Sequence, residues 1–356
     1  MIEPLASPAT APAPHSRARR ILAVAVALYL AAILLVWALL RFCADVWWPA
    51  TLILFGPRWI WALPLAVLAP LAALRDRRLL APLALAALVM LFPIAGLTFA
   101  WPGRAATPLA PASRVSPEAP PQRRLRLMTY NVGEGTSNGM DLFRMMAEVS
   151  PDVVAIQECG AVSRVAQRQP GERYSIIGHG ELCLLSRYPI EKKAALDPAA
   201  IRDLGGTGSV VRYTVHHPAG DVSLVNIHLA TVREGLDAVI ARGLAGVPAL
   251  KENLATRSAM SALARTFVDA AEAPVVLVGD FNLPTDSAVY RRDWSSFDNA
   301  FSIAGNGFGT TKRTRWFGIR IDHVLVGPGV RCERAFIGPH LNGDHRPVVA
   351  DLTWSG

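Results

Sequence analysis

Hydrophobic and polar positions divide this chain into two regimes. Residues 21 to 101 are almost wholly apolar, whereas residues 123 to 356 mix apolar, charged and turn residues in the ordinary globular way. In the first regime ILAVAVALYLAAILLVWALL (21 to 40) is an unbroken apolar run, long enough to cross the ~30 Å hydrocarbon core of a bilayer. Two further spans are expected at 59 to 74, extended backwards by TLILFG, and at 79 to 101. Their prolines are tolerated where neighbouring helices satisfy the freed backbone groups. A cleaved signal peptide fits less well, because the run is too long and no small-x-small site follows it. In the second regime short apolar runs predict strands at LRLMTYN, DVVAIQE, YSIIG, LCLLSR, VVRYTV, VSLVNIHL, VVLVGDF, RIDHVLV, RCERAFIG and PVVADLTW. Helical spacing predicts helices at DLFRMMAEV and over 249 to 270. The expected order is a cytoplasmic N-terminus (1–20), a three-helix transmembrane region (21–101), a Pro/Ala-rich linker (102–122) and one α/β domain (123–356).

Charge changes the picture twice. His15, Arg17, Arg19 and Arg20 precede the first span, and Arg75, Arg77 and Arg78 fill the connection between the second and third. The positive-inside rule places both in the cytoplasm, so three crossings carry the second domain to the outer side. Trp47, Trp48, Trp59, Trp61 and Trp101 then fall at the outer interface as an aromatic belt, and Arg58 lies near it. Of the net charge of +8, only +2 belongs to residues 123 to 356, with 26 Lys and Arg against 24 Asp and Glu. The basic excess therefore mostly encodes membrane topology and not a footprint of nucleic acid, which stays possible as a partner. The four cysteines have no metal-ligand spacing. Cys159 and Cys183, expected in an oxidising compartment, are either disulfide-linked or buried thiols. Cys43 has Arg41 and Phe42 where a lipid-attachment site needs small residues.

Polar residues gather at strand ends. Asn131 follows LMTY, Glu158 follows VVAIQ, His228 follows LVNI, and Asp280 and Asn282 follow VVLVG. Asp322, and the pair Asp344 and His345, stand instead at or before the starts of their strands. If those two strands run antiparallel to the other four, all of these groups meet at one edge. Any one of them alone is an ordinary turn residue. Together they form an acidic and imidazole cluster that is costly without a cation or proton between its members. Hard oxygen ligands and two scattered histidines not paired with thiolates favour Mg²⁺ or Mn²⁺ over Zn²⁺, and the chemistry suggested is attack of water on a phosphate ester.

In chain order TYNV (129–132), IQE (156–158), SRYPI (186–190), NIHL (226–229), GDFN (279–282), RIDHVL (320–325) and GDHRPV (343–348) resemble the endonuclease/exonuclease/phosphatase (DNase I-like) superfamily. That resemblance implies a four-layer α/β sandwich, two mixed sheets flanked by helices, with metal-dependent phosphoester cleavage at one edge. It implies Glu158 as principal metal ligand with Asn131 and Asp344 near the ion, His345 paired with Asp322 as base or phosphate contact, and Asp280 acting on the attacking water. Asn282 is implied as a phosphate donor and His228 as a second acid. Among the basic residues near the motifs, Arg187 and Arg320 adjoin a motif and are the expected substrate contacts, ahead of Arg233, Arg291, Arg292, Lys312, Arg313 and Arg315. His216 and His217 are expected at a hairpin end.

The three spans, the linker, and DSAVYRRDWSSFDNAF followed by GFGTTKRTRWFGIRIDHVL also resemble a membrane-bound bacterial branch that includes VanJ-type teicoplanin-resistance proteins. This implies an extracytoplasmic phosphatase or pyrophosphatase at the inner membrane, acting on a lipid-linked phosphate, with the bilayer as partner and no obligate protein partner. A tethered nuclease on DNA or RNA is the alternative.

Overall fold

The computed structural model describes residues 14–100, 123–133, 138–160, 174–314 and 316–355. The expected linker 102–122, Trp101, Arg315 and most of the N-terminal segment lie outside the described residues. The chain forms two compact units: Met1–Leu39 with Arg58–Ala95, and Leu40–Pro57 with Gly96–Gly356.

Among the described residues three helical stretches, Arg17–Cys43, Arg58–Arg75 and Arg77–Ile94, are long and apolar enough to cross a membrane. Two boundaries differ from expectation. TLILFG does not lengthen the second span but belongs to a separate helix, Trp48–Leu54, which stops short of Gly56-Pro57, a pair that disfavours helix on both sides. The third span ends at Ile94, after which Gly96 takes a positive φ of 76°. The Arg58 guanidinium donates to the Ile94 carbonyl at 2.7 Å, satisfying one of the acceptors that a helix end leaves open.

In the second unit every apolar run expected as a strand is one. The first sheet runs β13 (Val330–Ile337), β14 (Val348–Trp354), β1 (Arg124–Asn131), β2 (Val153–Gln157), β4 (Leu182–Ser186), β3 (Ser175–His179). The second runs β5 (Ile190–Ala195), β6 (Ser209–Val215), β7 (Val222–His228), β8 (Val275–Asp280), β12 (Asp322–Val326), β9 (Asp298–Asn299). Both sheets are mixed: β1 is parallel to β2 and antiparallel to β14, while β8 is parallel to β7 and antiparallel to β12. A short hairpin of β10 (Lys312–Arg313) and β11 (Gly318–Ile319) stands apart from both sheets.

Strand alternation builds the layers. Leu125, Leu127, Val153, Ala155, Leu224, Val276, Val278 and Val324 pack between the sheets. The opposite faces, with Met128, Tyr130, Val154 and Ile156 on one side and Val225, Ile227, Leu277 and Leu325 on the other, pack beneath the helices Asn138–Val149 and Val247–Val268. The result is the expected four-layer α/β sandwich.

Candidate active site

The alternation that builds the core also aims the polar tips. In β1 the odd positions face the other sheet, so Asn131 continues the face of Leu125 and Leu127. In β7, β8 and β12 the even positions do so, which turns His228, Asp280 and Asp322 the same way. A slip of one residue in any of these strands would send its polar tip under a helix. Register completes the convergence, because Asp322 pairs with Asp280 and His228 with Asp280 across adjacent strands. Thr129 pairs with Val348, three residues beyond His345. Gly279 is required here, since a Cβ on it would lie 1.9 Å from the Ile227 carbonyl oxygen of the neighbouring strand.

His345 Nδ1 lies 3.0 and 2.9 Å from the two Asp322 oxygens, which fixes the ring and leaves Nε2 facing 3.7 Å from Asp280 Oδ2. His228 Nε2 approaches the same oxygen from another side at 3.9 Å, and its Nδ1 lies 3.1 Å from Glu181. Asn131 Nδ2 donates to Glu158 at 2.9 Å and to Asp280 at 3.1 Å, bridging two carboxylates that would otherwise repel. Asp280, Asp322 and His345 are at most 3% exposed, so these charges meet in a medium that screens them poorly. They are also a group whose ligand atoms lie within 4.8 Å of one another, as a metal site requires. Glu158 and Asn282 both have positive φ, 55° and 52°, an uncommon backbone conformation for residues other than glycine that concentrates at functional sites.

Electrostatics sort these groups by task. Burial alone would lower the His228 imidazole, but Glu181, Asp280 and Glu158 outweigh it and raise its pKa to about 9. Burial likewise opposes charging His345, and Asp322 and Asp280 overcome it, so its pKa is raised. Burial and the neighbouring Asp322 push Asp280 up, while the two imidazoles pull it back. Asp344 would be raised by burial, yet Lys312, His345 and Arg233 hold it below its ordinary value.

Several expectations change at the level of single residues. Arg187 does not reach this edge: Ser186 pairs with Val153 at the start of β2, the opposite end from Glu158. There its guanidinium contacts Asp152 and Tyr174, which corrects the expected substrate contact. Arg320 lies two residues before Asp322 and its guanidinium stands over the Phe301 ring, with Ser302 at 3.2 Å. Asn282 commits its side-chain amide to the Leu229 carbonyl at 2.8 Å and its backbone N–H to Asp280, so it braces two loops where a phosphate donor was expected. Asp344 contacts Lys312, Arg233 and His345. Cys159 and Cys183 form a disulfide directly after Glu158. His216 and His217 do lie in the turn between β6 and β7.

Other contacts do not follow from the sequence reading, in which Lys312 stands only among the basic residues near the motifs. Lys312 Nζ lies 2.9 Å from His345 Nε2, and the Thr311 hydroxyl accepts the backbone N–H groups of Ile321 and Asp322. Gln157 donates to Asn226 at 2.6 Å, a fully buried link between the sheets. Its signal was present as one polar residue in each of two apolar runs, VAIQ and LVNI.

The family of endonucleases, exonucleases and phosphatases matches residues 128–345, more than half of the chain, and the chain belongs to it. Enzymes of this family hydrolyse phosphoesters and generally depend on a divalent metal. Among solved structures, an endonuclease/exonuclease/phosphatase from Beutenbergia cavernae DSM 12333 is 19% identical over 66% of this chain and 72% of its own, with a TM-score of 0.46. Humanized TDP2 from D. rerio is 14% identical over 65% of this chain and 100% of its own, with a TM-score of 0.48. The human Nocturnin catalytic domain, solved with a bound sulfate anion, is 13% identical over 65% and 94%, with a TM-score of 0.43. No curated protein matches the chain.

Proposed function

We propose that this chain is a membrane-anchored, extracytoplasmic, Mg²⁺-dependent phosphohydrolase acting on a phosphate group borne by a lipid, such as a polyprenyl pyrophosphate. The observation that carries the reading is the Asp322-braced His345 facing Asp280, with His228 and the Asn131–Glu158 pair beside it. Asp280 accepts a proton from the attacking water as its oxygen bonds to phosphorus. When a phosphoryl group draws Lys312 away from His345 Nε2, that nitrogen is free to carry a proton, and His345, fixed through Nδ1, donates to a phosphoryl oxygen. His228, protonated at neutral pH, gives its proton to the leaving oxygen as the P–O bond breaks. The oxygen donors suit a hard cation: Glu158, with Asn131 bonded to it and Asp344 nearer His345, would hold Mg²⁺ or Mn²⁺. When bound, that ion neutralises phosphoryl oxygens.

Anchoring favours a lipid substrate, because it confines enzyme and head group to one thin layer and raises their effective concentration. The disulfide supports an oxidising, extracytoplasmic location, as does the clustering of arginine before the first span and between the second and third. The test presents the purified full chain in detergent with undecaprenyl pyrophosphate, a phosphoinositide and plasmid DNA, each with Mg²⁺ and with EDTA. Phosphate release from a lipid that EDTA abolishes is the expected result. Nicking of the plasmid at a comparable rate would replace the lipid phosphatase by a tethered nuclease, and turnover unaffected by EDTA would remove the metal.

A further inference from the structure

The catalytic fold contains a buried ion pair whose acidic member comes from far outside the family's span. Arg257, on the helix Val247–Val268, is 3% exposed, and its guanidinium makes three bonds. Nη1 donates to Asp45 at 3.0 Å, Nε to the Ala230 carbonyl at 3.2 Å, and Nη2 to the Asn282 carbonyl at 2.7 Å. Ala230 lies two residues after His228 and Asn282 two residues after Asp280. One cation therefore clamps together the loops that leave β7 and β8 with those side chains at their tips. A planar guanidinium has the fork geometry to reach three acceptors at once, which an ammonium on a lysine stem lacks.

Asp45 is built into this position. It lies between the first two apolar spans, is 4% exposed, and has a positive φ of 64°. Its backbone N–H donates to the Thr51 hydroxyl at 3.1 Å. The segment carrying it packs Trp48, Leu52 and Phe55 against Val232, Leu250 and Leu254, and Phe55 lies 5.3 Å from the Arg257 guanidinium carbon. The Ala44 carbonyl also accepts the N–H of Ala288, the first residue of the helix Ala288–Trp294 that follows the loop beyond Asp280. A buried guanidinium deprived of its carboxylate is strongly unfavourable, so Asp45 is what allows Arg257 to stay at the two loops.

We infer that Asp45 and Arg257 are positioning residues of the active site, and that the segment between the first two spans completes the catalytic domain instead of merely joining membrane helices. Neither touches the reacting atoms. They act through the backbone of Ala230 and Asn282 to hold His228 and Asp280 in their mutual geometry. The inference rests on the proposed phosphohydrolase reading only for its kinetic readout.

The experiment uses the full chain in detergent, carrying Arg257→Lys, Asp45→Asn or Asp45→Ala. Two measurements are made on each folded variant: hydrogen exchange at the amides of Leu229, Phe281 and Asn282, and kcat and KM for bis(4-nitrophenyl) phosphate with Mg²⁺. Those amides are bonded in the parent to the Asp280 carbonyl, the Ile321 carbonyl and the Asp280 side chain. Exchange there is expected to quicken at least ~10-fold, with amides in β1 and β14 unchanged, because only the clamped loops loosen. kcat should fall ~10- to 100-fold with KM changed by less than ~3-fold, since a displacement of about 1 Å suffices for such a loss. Asp45→Asn, which keeps an acceptor, should lie between the parent and Asp45→Ala. Unchanged exchange at all three amides in folded Arg257→Lys and Asp45→Asn overturns the inference, as does loosening spread evenly over the sheets. If the parent itself hydrolyses no phosphoester, the functional reading fails while the exchange data still decide the clamp.

Discussion

At the scale of single residues, Asp280 and His345 carry opposite halves of the proposed chemistry, one receiving a proton and the other stabilising charge. Asp280→Ala and His345→Ala are each expected to lower phosphoester turnover by ~10²- to 10⁴-fold, read from initial rates on protein whose circular dichroism is unchanged. Turnover within a few-fold of the parent would place the chemistry elsewhere. His323, the next residue after Asp322, shows how alternation separates neighbours by role. It faces the helix layer, with Nε2 2.8 Å from the Leu283 carbonyl and Nδ1 3.1 Å from the Asn299 amide. Burial pulls its pKa down to about 4. The unfolded chain protonates this imidazole below pH ~6.5 and the folded chain does not until pH ~4, so its contribution is complete above ~6.5 and is lost as pH falls towards 4. Thermal unfolding should therefore show stability falling between pH 6.5 and 4 by on the order of 3 kcal/mol from this group, and His323→Gln should flatten that slope. An unaltered slope in the variant would contradict the assignment.

Among elements, the strands were the most legible because their apolar runs are buried on both faces. β2, β4, β8 and β12 have no position that is not buried. β5 escaped notice for the converse reason: IEKKAA is an edge strand, half exposed and rich in lysine, with the composition that protects an edge from further pairing. The helix Arg233–Arg242 was also not foreseen, and its Ile240, 82% exposed, breaks the apolar stripe by which helices are recognised. The Cys159–Cys183 bond joins the turn after β2 to β4, pinning the backbone immediately beside Glu158. Replacing both cysteines by serine is expected to cost about 3 kcal/mol for a closed loop of this order. Thermal unfolding of the parent under reducing conditions should approach that of the double variant, and equal stability of all forms would show that the bond restrains nothing.

At the scale of the whole molecule, the topology read from arginine placement predicts that residues beyond the third span lie outside the cytoplasm. Expressed in a bacterium, an alkaline phosphatase fused after Gly356 should be active and a green fluorescent protein fused there should be dark, and the reverse pattern would invert the orientation. Periodicity and local chemistry alone determined the three apolar spans, the ten strands built on apolar runs, and the polar side chains waiting at their ends, because each depends on a few neighbouring residues. Tertiary structure decided what those side chains meet. It set Arg187 at the far edge, committed Asn282 to its neighbouring loop, linked Gln157 to Asn226, and joined Asp45 to Arg257 across 212 positions. Such pairings leave no periodic trace in a chain, since their free energy comes from burial and hydrogen-bond satisfaction that exist only once the sheets and the loops have closed.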